Sequence, residues 1–175
     1  MTTLYDLSVG TYQRVLQATV VVMEKGASYF NEQGLVLNDV VEMRLAPDMA
    51  AFPFQVNSVR HHSLGAIKGI MAGEFGPPPE LPDMDYRGLM ALLTSALAEL
   101  DTMQAEDIVP VRGKGMHFRA GSFEVPFTTE NFILSFSLPN LYFHATTIYN
   151  MLRIKGVPLG KLDFLGKMLV GLPKN

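Results

Sequence analysis

Apolar side chains recur at helical spacing in four long stretches of the sequence, and this pattern constrains the fold more than any other feature. The clearest stripe runs from about residue 85 to residue 103. Its members are Leu89, Leu92, Leu93, Ala96, Leu97, Leu100 and Met103. Such spacing puts the apolar side chains on one face of an α-helix, which must be buried against another element. Asp85 stands just before the stripe and is suited to cap the helix.

Three more stretches show the same period. They cover residues 3–31, 51–71 and 139–156. Gly26 lies on the apolar face of the first of these, where the missing side chain would let a neighbouring helix come close. Pro53 and Pro139 fit the first turns of the other two, because proline is tolerated where a helix begins. Four amphipathic helices joined by non-helical links predict an all-α four-helix bundle, with residues 1–175 as a single domain.

The stretch between the third and fourth helices departs from the helical period. Apolar and polar residues alternate at residues 116–119 and again at 123–127, with Ala-Gly-Ser at 120–122 between them. Alternation with a period of two is typical of β-strands, and the short link favours a hairpin. Pro126 suits an exposed edge strand. We therefore predict a small hairpin-like excursion before the last helix.

Composition excludes several classes of site and partner. The chain has no cysteine, so it forms no disulfide, thiolate metal site or cysteine nucleophile. This absence fits a cytoplasmic location. The formal net charge is −3 and no dense basic block occurs, so we expect no nucleic-acid binding. The longest apolar runs, such as residues 20–23, are far shorter than a membrane span, so we also expect no membrane insertion.

Common catalytic motifs are absent from the sequence. The run GVPLGKL at residues 156–162 has too few residues between its glycines for a phosphate-binding loop, and a leucine stands where the loop needs Ser or Thr. No Glu-x-x-His pair occurs, as a di-iron bundle site would need, and no Gly-x-Ser-x-Gly nucleophile elbow occurs. Histidines are therefore the main candidates for chemistry.

Three of the four histidines stand outside the predicted last helix. His117 lies in the hairpin, where we expect it to be exposed. His61 and His62 are adjacent on the second helix, so their side chains point about 100° apart. Both lie off the centre of that helix's apolar stripe. This favours a flank or surface position, and a metal-ligand role for either histidine remains the alternative.

His144 lies about 60° from the middle of the apolar stripe of the fourth helix, at its edge. Asn140 and Thr147 share this flank, and with Tyr149 they complete the predicted pocket residues. A neutral imidazole in such a position binds a metal through one nitrogen and forms a hydrogen bond through the other. A satisfied core histidine would show the same pattern. The residues leave both roles open.

The run LPNLYFHATTIYNMLRIKGVPLGKLDFLG at residues 138–166, with LAPDM and FQV upstream, resembles an uncharacterised bacterial family that is grouped distantly with the DinB/YfiT-like proteins. The resemblance covers essentially the whole chain. It implies an up-down-down-up four-helix bundle, often a dimer.

The wider superfamily includes proteins described as metal-dependent hydrolases, and thiol-dependent enzymes such as bacillithiol transferases and mycothiol-dependent maleylpyruvate isomerase. The resemblance implies a three-histidine metal site, with one ligand on the second helix and two ligands four residues apart on the fourth. His144 matches the second ligand of the fourth helix, and Asn140 stands in place of the first. His61 or His62 is nearest to the ligand position on the second helix. The implied ion is divalent, zinc or nickel.

Two hypotheses about function follow from the sequence. The first is a DinB-like protein with an inter-helix pocket and an incomplete histidine site, acting as a metal-dependent enzyme of the hydrolase or thiol-transferase type. The second is a non-enzymatic homodimeric helical module that binds a small apolar ligand or a protein partner, for which the 11 methionines would supply an adaptable apolar surface. The sequence does not decide whether the chain is an enzyme, and it names no substrate.

Overall fold

Helices and helical turns account for most of residues 2–171, the part of the chain that the computed structural model describes. The helices are α1 Thr11–Glu32, α2 Phe52–Arg60, α3 Ala66–Ala72, α4 Tyr86–Leu100, α5 Ala105–Ile108, α6 Thr129–Phe132, α7 Leu138–Ile154 and α8 Lys161–Leu165. The strands are β1 Glu74–Phe75, β2 Gly115–Ala120 and β3 Phe123–Thr128. Helix α1 packs against α4 and α7, and α2 packs against the same two helices. Their apolar faces form the core, as the helical stripes predicted.

π-Helical turns continue three of the helices without a break. Asp6–Gly10 leads into α1, His61–Gly65 joins α2 to α3, and Ile133–Ser137 joins α6 to α7. The second predicted helix is therefore one rod whose middle turn carries both adjacent histidines. A π-turn inserts a residue into the α-helical period and is often found at functional sites.

Two local predictions from the sequence are confirmed. The side chain of Asp85 accepts a hydrogen bond from the backbone N–H of Gly88 at 2.7 Å, and α4 begins one residue after Asp85. A Cβ atom on Gly26 would lie 2.7 Å from the hydroxyl of Tyr86 and 3.2 Å from Cδ2 of Leu152. The bare backbone at Gly26 thus lets α4 and α7 approach α1 closely.

The all-α prediction is corrected by a small mixed sheet with strand order β1-β2-β3. Strands β2 and β3 form the predicted antiparallel hairpin, and Pro126 lies on the edge strand opposite His117. Strand β1 was not predicted, and it pairs in parallel with β2. It has only two residues, so it is too short to show a period of two, and it follows Gly73, whose φ of +76° turns the chain back after α3.

The segment after α7 lies against α1. Lys25 forms an ion pair with Asp163 at 2.5 Å, and Asp163 also accepts a hydrogen bond from the N–H of Gly160 at 2.8 Å. The second contact caps α8. None of the helices within residues 2–171 has the length and apolarity needed to cross a membrane.

Candidate functional site

His62 and His144 come together in the core between the π-turn of the second helix and α7. Their ring centroids lie 6.1 Å apart with planes only 12° from parallel. His62 is 6% exposed and His144 is 9% exposed. The expectation of a flank or surface position is therefore wrong for His62. The rings of Phe75 and Phe136 pack at 5.5 and 5.7 Å from His62, and these covering residues come from other elements, so the helix's own pattern does not reveal them.

His61 is turned toward the segment that follows α3. Its ring stacks on Phe75 at 4.2 Å, and Nε2 lies 2.7 Å from the carbonyl oxygen of Gly76. Since that oxygen only accepts, Nε2 carries the proton and donates it. The other nitrogen, Nδ1, lies over Gly65, where a Cβ atom would come within 2.9 Å of it. Both ring nitrogens of His61 thus lie against the chain's own backbone.

A chain of two hydrogen bonds defines the tautomer of His144. The side-chain nitrogen of Gln55, Nε2, donates to the carbonyl oxygen of Ala50 at 2.9 Å, so Oε1 of Gln55 faces the ring of His144. The distance from this Oε1 to Nδ1 of His144 is 2.8 Å. An amide oxygen only accepts, so Nδ1 of His144 must donate. In the neutral ring, Nε2 of His144 therefore carries the free lone pair.

Burial keeps both rings of the pair neutral. It lowers the pKa of His62 to about 3, with the nearby rings of His61 and His144 acting in the same direction. It lowers the pKa of His144 to about 4. Nδ1 of His62 is buried, and within residues 2–171 it has no hydrogen-bond partner. Such an unpaired buried polar atom is rare in native proteins and calls for an explanation.

A buried hydrogen-bond chain holds the backbone of His62. The hydroxyl of Tyr12 donates to Oγ of Ser137 at 2.8 Å, and Ser137 donates to the carbonyl oxygen of His62 at 2.8 Å. Tyr12 and Ser137 are fully buried. This hydrogen-bond chain connects α1 to two of the π-turns. Three separate parts of the sequence therefore fix the position of His62.

The other predicted pocket residues lie on α7 with His144 but bind backbone groups. Asn140 is half-buried, and its Nδ2 donates to the carbonyl oxygen of Phe136 at 2.8 Å, which leaves Oδ1 available. Thr147 is buried and donates to the carbonyl oxygen of Phe143 at 2.8 Å. Of the predicted set, Asn140 thus has a side-chain oxygen without a hydrogen-bond partner within residues 2–171, one helical turn from His144.

Tyr149 is placed toward the end of the chain rather than beside the histidine pair. Its hydroxyl donates to the carbonyl oxygen of Leu159 at 3.2 Å, and its ring packs edge-on against Phe164 at 6.1 Å. His117 is 41% exposed in the hairpin, as predicted, with Nε2 at 3.5 Å from a carboxylate oxygen of Glu124.

Two aromatic rings cover His144 on its outer side. Phe54 of α2 and Phe143 of α7 meet the imidazole edge-on, at centroid distances of 5.8 and 5.1 Å. These rings are themselves 45% and 57% exposed. They shield His144 from bulk water and are themselves partly exposed.

The donors fit a metal ion in part. On a tetrahedral zinc ion with Zn–N distances of about 2.0–2.1 Å, two imidazole centroids lie about 5 Å apart. The observed distance of 6.1 Å is longer, so the two rings would have to move closer together to share one ion. In the part of the chain that the structure describes, no three His, Asp or Glu side chains form a cluster that could hold a metal ion. An ion at this position would be bound by His62, His144 and Oδ1 of Asn140.

Gln55 is the residue of this site that the sequence reasoning missed. It stands seven residues before His62, about two helical turns, so the two residues share a face of the second helix. The seven-residue spacing was the sequence feature that could have predicted that Gln55 lies near the histidine site. Ser137 and Tyr12 gave no such signal, because their partners are 75 and 125 residues away in the sequence.

Comparison with known proteins identifies the family. The crystal structure of a DinB family member protein from Shewanella denitrificans matches with a TM-score of 0.78 and 24% sequence identity, over 97% of this chain and 96% of that chain. At this identity the likeness shows a common fold. A search of curated proteins found no match. The model of the family described as domain of unknown function DUF1993 matches residues 4–165. The chain therefore belongs to the DUF1993 family, as the resemblance to an uncharacterised DinB-like family predicted.

Proposed function

We propose that the seam between His62 and His144 binds one divalent metal ion, zinc or nickel, as the centre of a metal-dependent enzyme of the hydrolase or thiol-transferase type. The observation that carries this proposal is the pair of buried neutral imidazoles, one with a defined free lone pair and the other with an unpaired buried nitrogen. Nε2 of His144 and a ring nitrogen of His62 would hold the ion, with Oδ1 of Asn140 as a weaker third ligand. When bound, such an ion polarises a substrate oxygen or lowers the pKa of a bound water or thiol.

The chain's own residues prepare the donors. Gln55 holds Nδ1–H of His144, and a hydrogen bond on the second nitrogen is the usual way in which a ligating imidazole is oriented. Because both pKa values lie well below 7, protons do not compete for the ring nitrogens at neutral pH. Phe54 and Phe143 limit the access of water from the outer side.

The up-down-down-up order of four long helices is part of the same proposal. It is supported by the packing of α1 against α4 and α7, and of α2 against the same two helices. In such an arrangement a ligand on the second rod and a ligand on α7 face each other across the core.

Metal titration of protein prepared without a histidine tag tests this function. After treatment with a chelator, Zn²⁺ or Ni²⁺ is titrated into the wild-type protein and into the His62→Leu, His144→Leu and His117→Gln variants. We expect one bound equivalent in the wild type and in His117→Gln, and loss of binding in the other two. A wild-type protein that takes up no stoichiometric metal, or a folded His144→Leu variant that still binds one equivalent, would overturn the proposal.

The exposed face of α7 favours a second function, that of a homodimeric module. No charged residue occurs in residues 131–152. Leu134, Tyr142 and Phe143 from this stretch are 50%, 39% and 57% exposed. Exposed helix faces usually carry charges, and a second copy of this face would meet it without repulsion between like charges.

Light scattering tests the dimer. We expect the wild type to form a dimer, Phe143→Glu to be monomeric because the change places two carboxylates in the interface, and Leu162→Glu to remain a dimer. Leu162 is a matched control, since it is 69% exposed and lies on α8. A monomeric wild type at millimolar concentration would exclude this function.

A further inference from the structure

A cavity of about 480 Å³ lies between α2 and the proline-rich segment 76–82 that crosses it. Pro53 and Phe54 form its wall on α2, and Pro78, Pro79 and Leu81 form the opposite wall. Asn57, which also lines the cavity, donates from Nδ2 to the carbonyl oxygen of Pro79 at 2.6 Å and so fastens the two walls together. Proline backbones have little freedom, so this apolar space is largely preformed.

Arg60 does not line the cavity itself but lies next to it on α2, in contact with the lining residue Asn57. It follows Asn57 by three residues, and side chains at this spacing are neighbours on a helix. Arg60 as a whole residue is half-buried, and its Nη2 donates one long hydrogen bond of 3.4 Å to Oδ1 of Asn57. Its Nε is buried and has no partner among the residues that the structure describes. Among residues 2–171 it forms no ion pair.

The buried Nε of Arg60 lacks an acceptor among the described residues, and such an atom is unfavourable. A buried N–H donor of a charged group destabilises a protein unless a neighbouring group or a bound ligand supplies an acceptor. Arg60 is not part of the histidine pair His62 and His144, and no carboxylate within residues 2–171 pairs with it. The missing acceptors therefore point to a bound anion.

We propose that this cavity binds a small apolar monocarboxylate, with its alkyl or aryl body between Phe54 and the prolines and its carboxylate on Arg60. A planar carboxylate matches the two-pronged donor geometry of a guanidinium. Glu80, an exposed residue at the rim, disfavours ligands that carry more than one negative charge. The apolar walls favour a body without further polar groups.

This site does not depend on the proposed metal function. Phe54 does link the two, because the same ring that lines the cavity packs against His144 at 5.8 Å. Binding is therefore measured on metal-free protein, so that a failure of the metal proposal and a failure of the carboxylate proposal are distinguishable.

Calorimetric titration with three probes of similar shape tests the inference: phenylacetate, the neutral phenylacetamide and the cationic benzylammonium. We expect phenylacetate to bind at one site at least tenfold more tightly than phenylacetamide, and benzylammonium to bind more weakly still. Amide NMR signals of the segment 76–82 and of α2 should shift on addition of phenylacetate. Equal affinity for the acid and the amide, or no binding of phenylacetate at millimolar concentration, would overturn the proposal.

Variants of Arg60 test whether this residue binds the carboxylate of the ligand. Arg60→Gln should lower the affinity for phenylacetate at least tenfold and leave that for phenylacetamide unchanged. Arg60→Lys keeps the charge without the planar fork and should give an intermediate affinity, which also covers the case in which Arg60→Gln does not fold. Arg112→Gln, an exposed control in the loop before β2, should bind like the wild type. An Arg60→Gln variant with wild-type affinity, or an Arg60→Lys variant with none of the preference for acid over amide, would contradict the assignment.

Discussion

The amide oxygen of Gln55 accepts a hydrogen bond from Nδ1 of His144 across 2.8 Å, and this contact determines which nitrogen of the histidine is free. Gln55 cannot reverse its amide without placing its oxygen against the carbonyl oxygen of Ala50, to which its nitrogen now donates. Gln55 therefore keeps the proton of neutral His144 on Nδ1, although Gln55 does not contact Nε2.

We expect the Gln55→Leu substitution to allow both neutral tautomers of His144. The variant leaves Nδ1 without an acceptor, so the proton redistributes between the two ring nitrogens. Long-range ¹H–¹⁵N NMR spectra of the histidine rings distinguish the two forms. We expect one tautomer in the wild type and a mixture in Gln55→Leu, with a loss of about 1–3 kcal/mol of stability for the unpaired buried donor. His61, tied to Gly76, is the internal control and should not change. An unaltered His144 spectrum would contradict the role of Gln55.

Acid should destabilise the fold in a pH range that the histidine pair defines. Both rings have a folded pKa below the ordinary value of 6.5, about 3 for His62 and about 4 for His144. The unfolded chain binds these protons near pH 6.5 and the folded chain does not. The contribution is therefore complete above pH 6.5 and falls as the pH drops toward about 4 for His144 and about 3 for His62, by at most about 1.4 kcal/mol per pH unit for each ring.

Urea unfolding at pH 7.5 and pH 5 measures this effect. The wild type should lose stability between the two values, and His62→Leu should lose clearly less. The carboxylates with lowered pKa, Asp6, Glu124 and Asp163, release their contribution only at lower pH, so they do not mask the histidines. Parallel losses in wild type and variant would show that His62 is not a buried neutral ring.

The hydrogen-bond chain under His62 predicts unequal costs for two conservative changes. Ser137→Ala leaves both the hydroxyl of Tyr12 and the carbonyl of His62 unpaired, whereas Tyr12→Phe removes only one donor. We expect a loss of about 2–4 kcal/mol for Ser137→Ala and about 1 kcal/mol for Tyr12→Phe. Thr94→Ala, which removes an exposed hydroxyl on α4, should change stability by less than about 0.5 kcal/mol. Urea denaturation gives the loss of stability for each of the three variants. Equal losses for Ser137→Ala and Tyr12→Phe would contradict the hydrogen-bond chain from Tyr12 through Ser137 to His62.

Glycines at two helical positions should respond in opposite directions to alanine. Gly26→Ala places a Cβ atom against Tyr86 and Leu152 and should destabilise the protein by about 1–3 kcal/mol. At Gly10 the nearest atom to a new Cβ is the carbonyl oxygen of Tyr5 at 3.8 Å, and φ is −61°. Gly10→Ala should therefore stabilise by about 0.5–1 kcal/mol through helix propensity. Thermal melting checks both, and a stabilised Gly26→Ala would mean that the helices are not in close contact there.

The local sequence pattern was enough to predict the long helices, the Asp85 cap and the hairpin, because each of these depends on residues that are close together in the sequence. The burial of His62 was not predictable in this way, since Phe75 and Phe136 cover it from a strand and a π-turn that the pattern did not reveal. The choice between His61 and His62 as neighbour of His144 depends on the same distant contacts. Strand β1 was missed because it exists only through its pairing with β2.

The proposed metal site lies between His62 and His144, and the position of a bound ion tests this proposal most directly. Crystals of tag-free protein soaked in Zn²⁺ would be measured at the zinc absorption edge. We expect one strong anomalous peak at about 2.0–2.1 Å from Nε2 of His144 and from a ring nitrogen of His62. A seam without a peak, with zinc found only at the surface pair His117 and Glu124, would contradict the account.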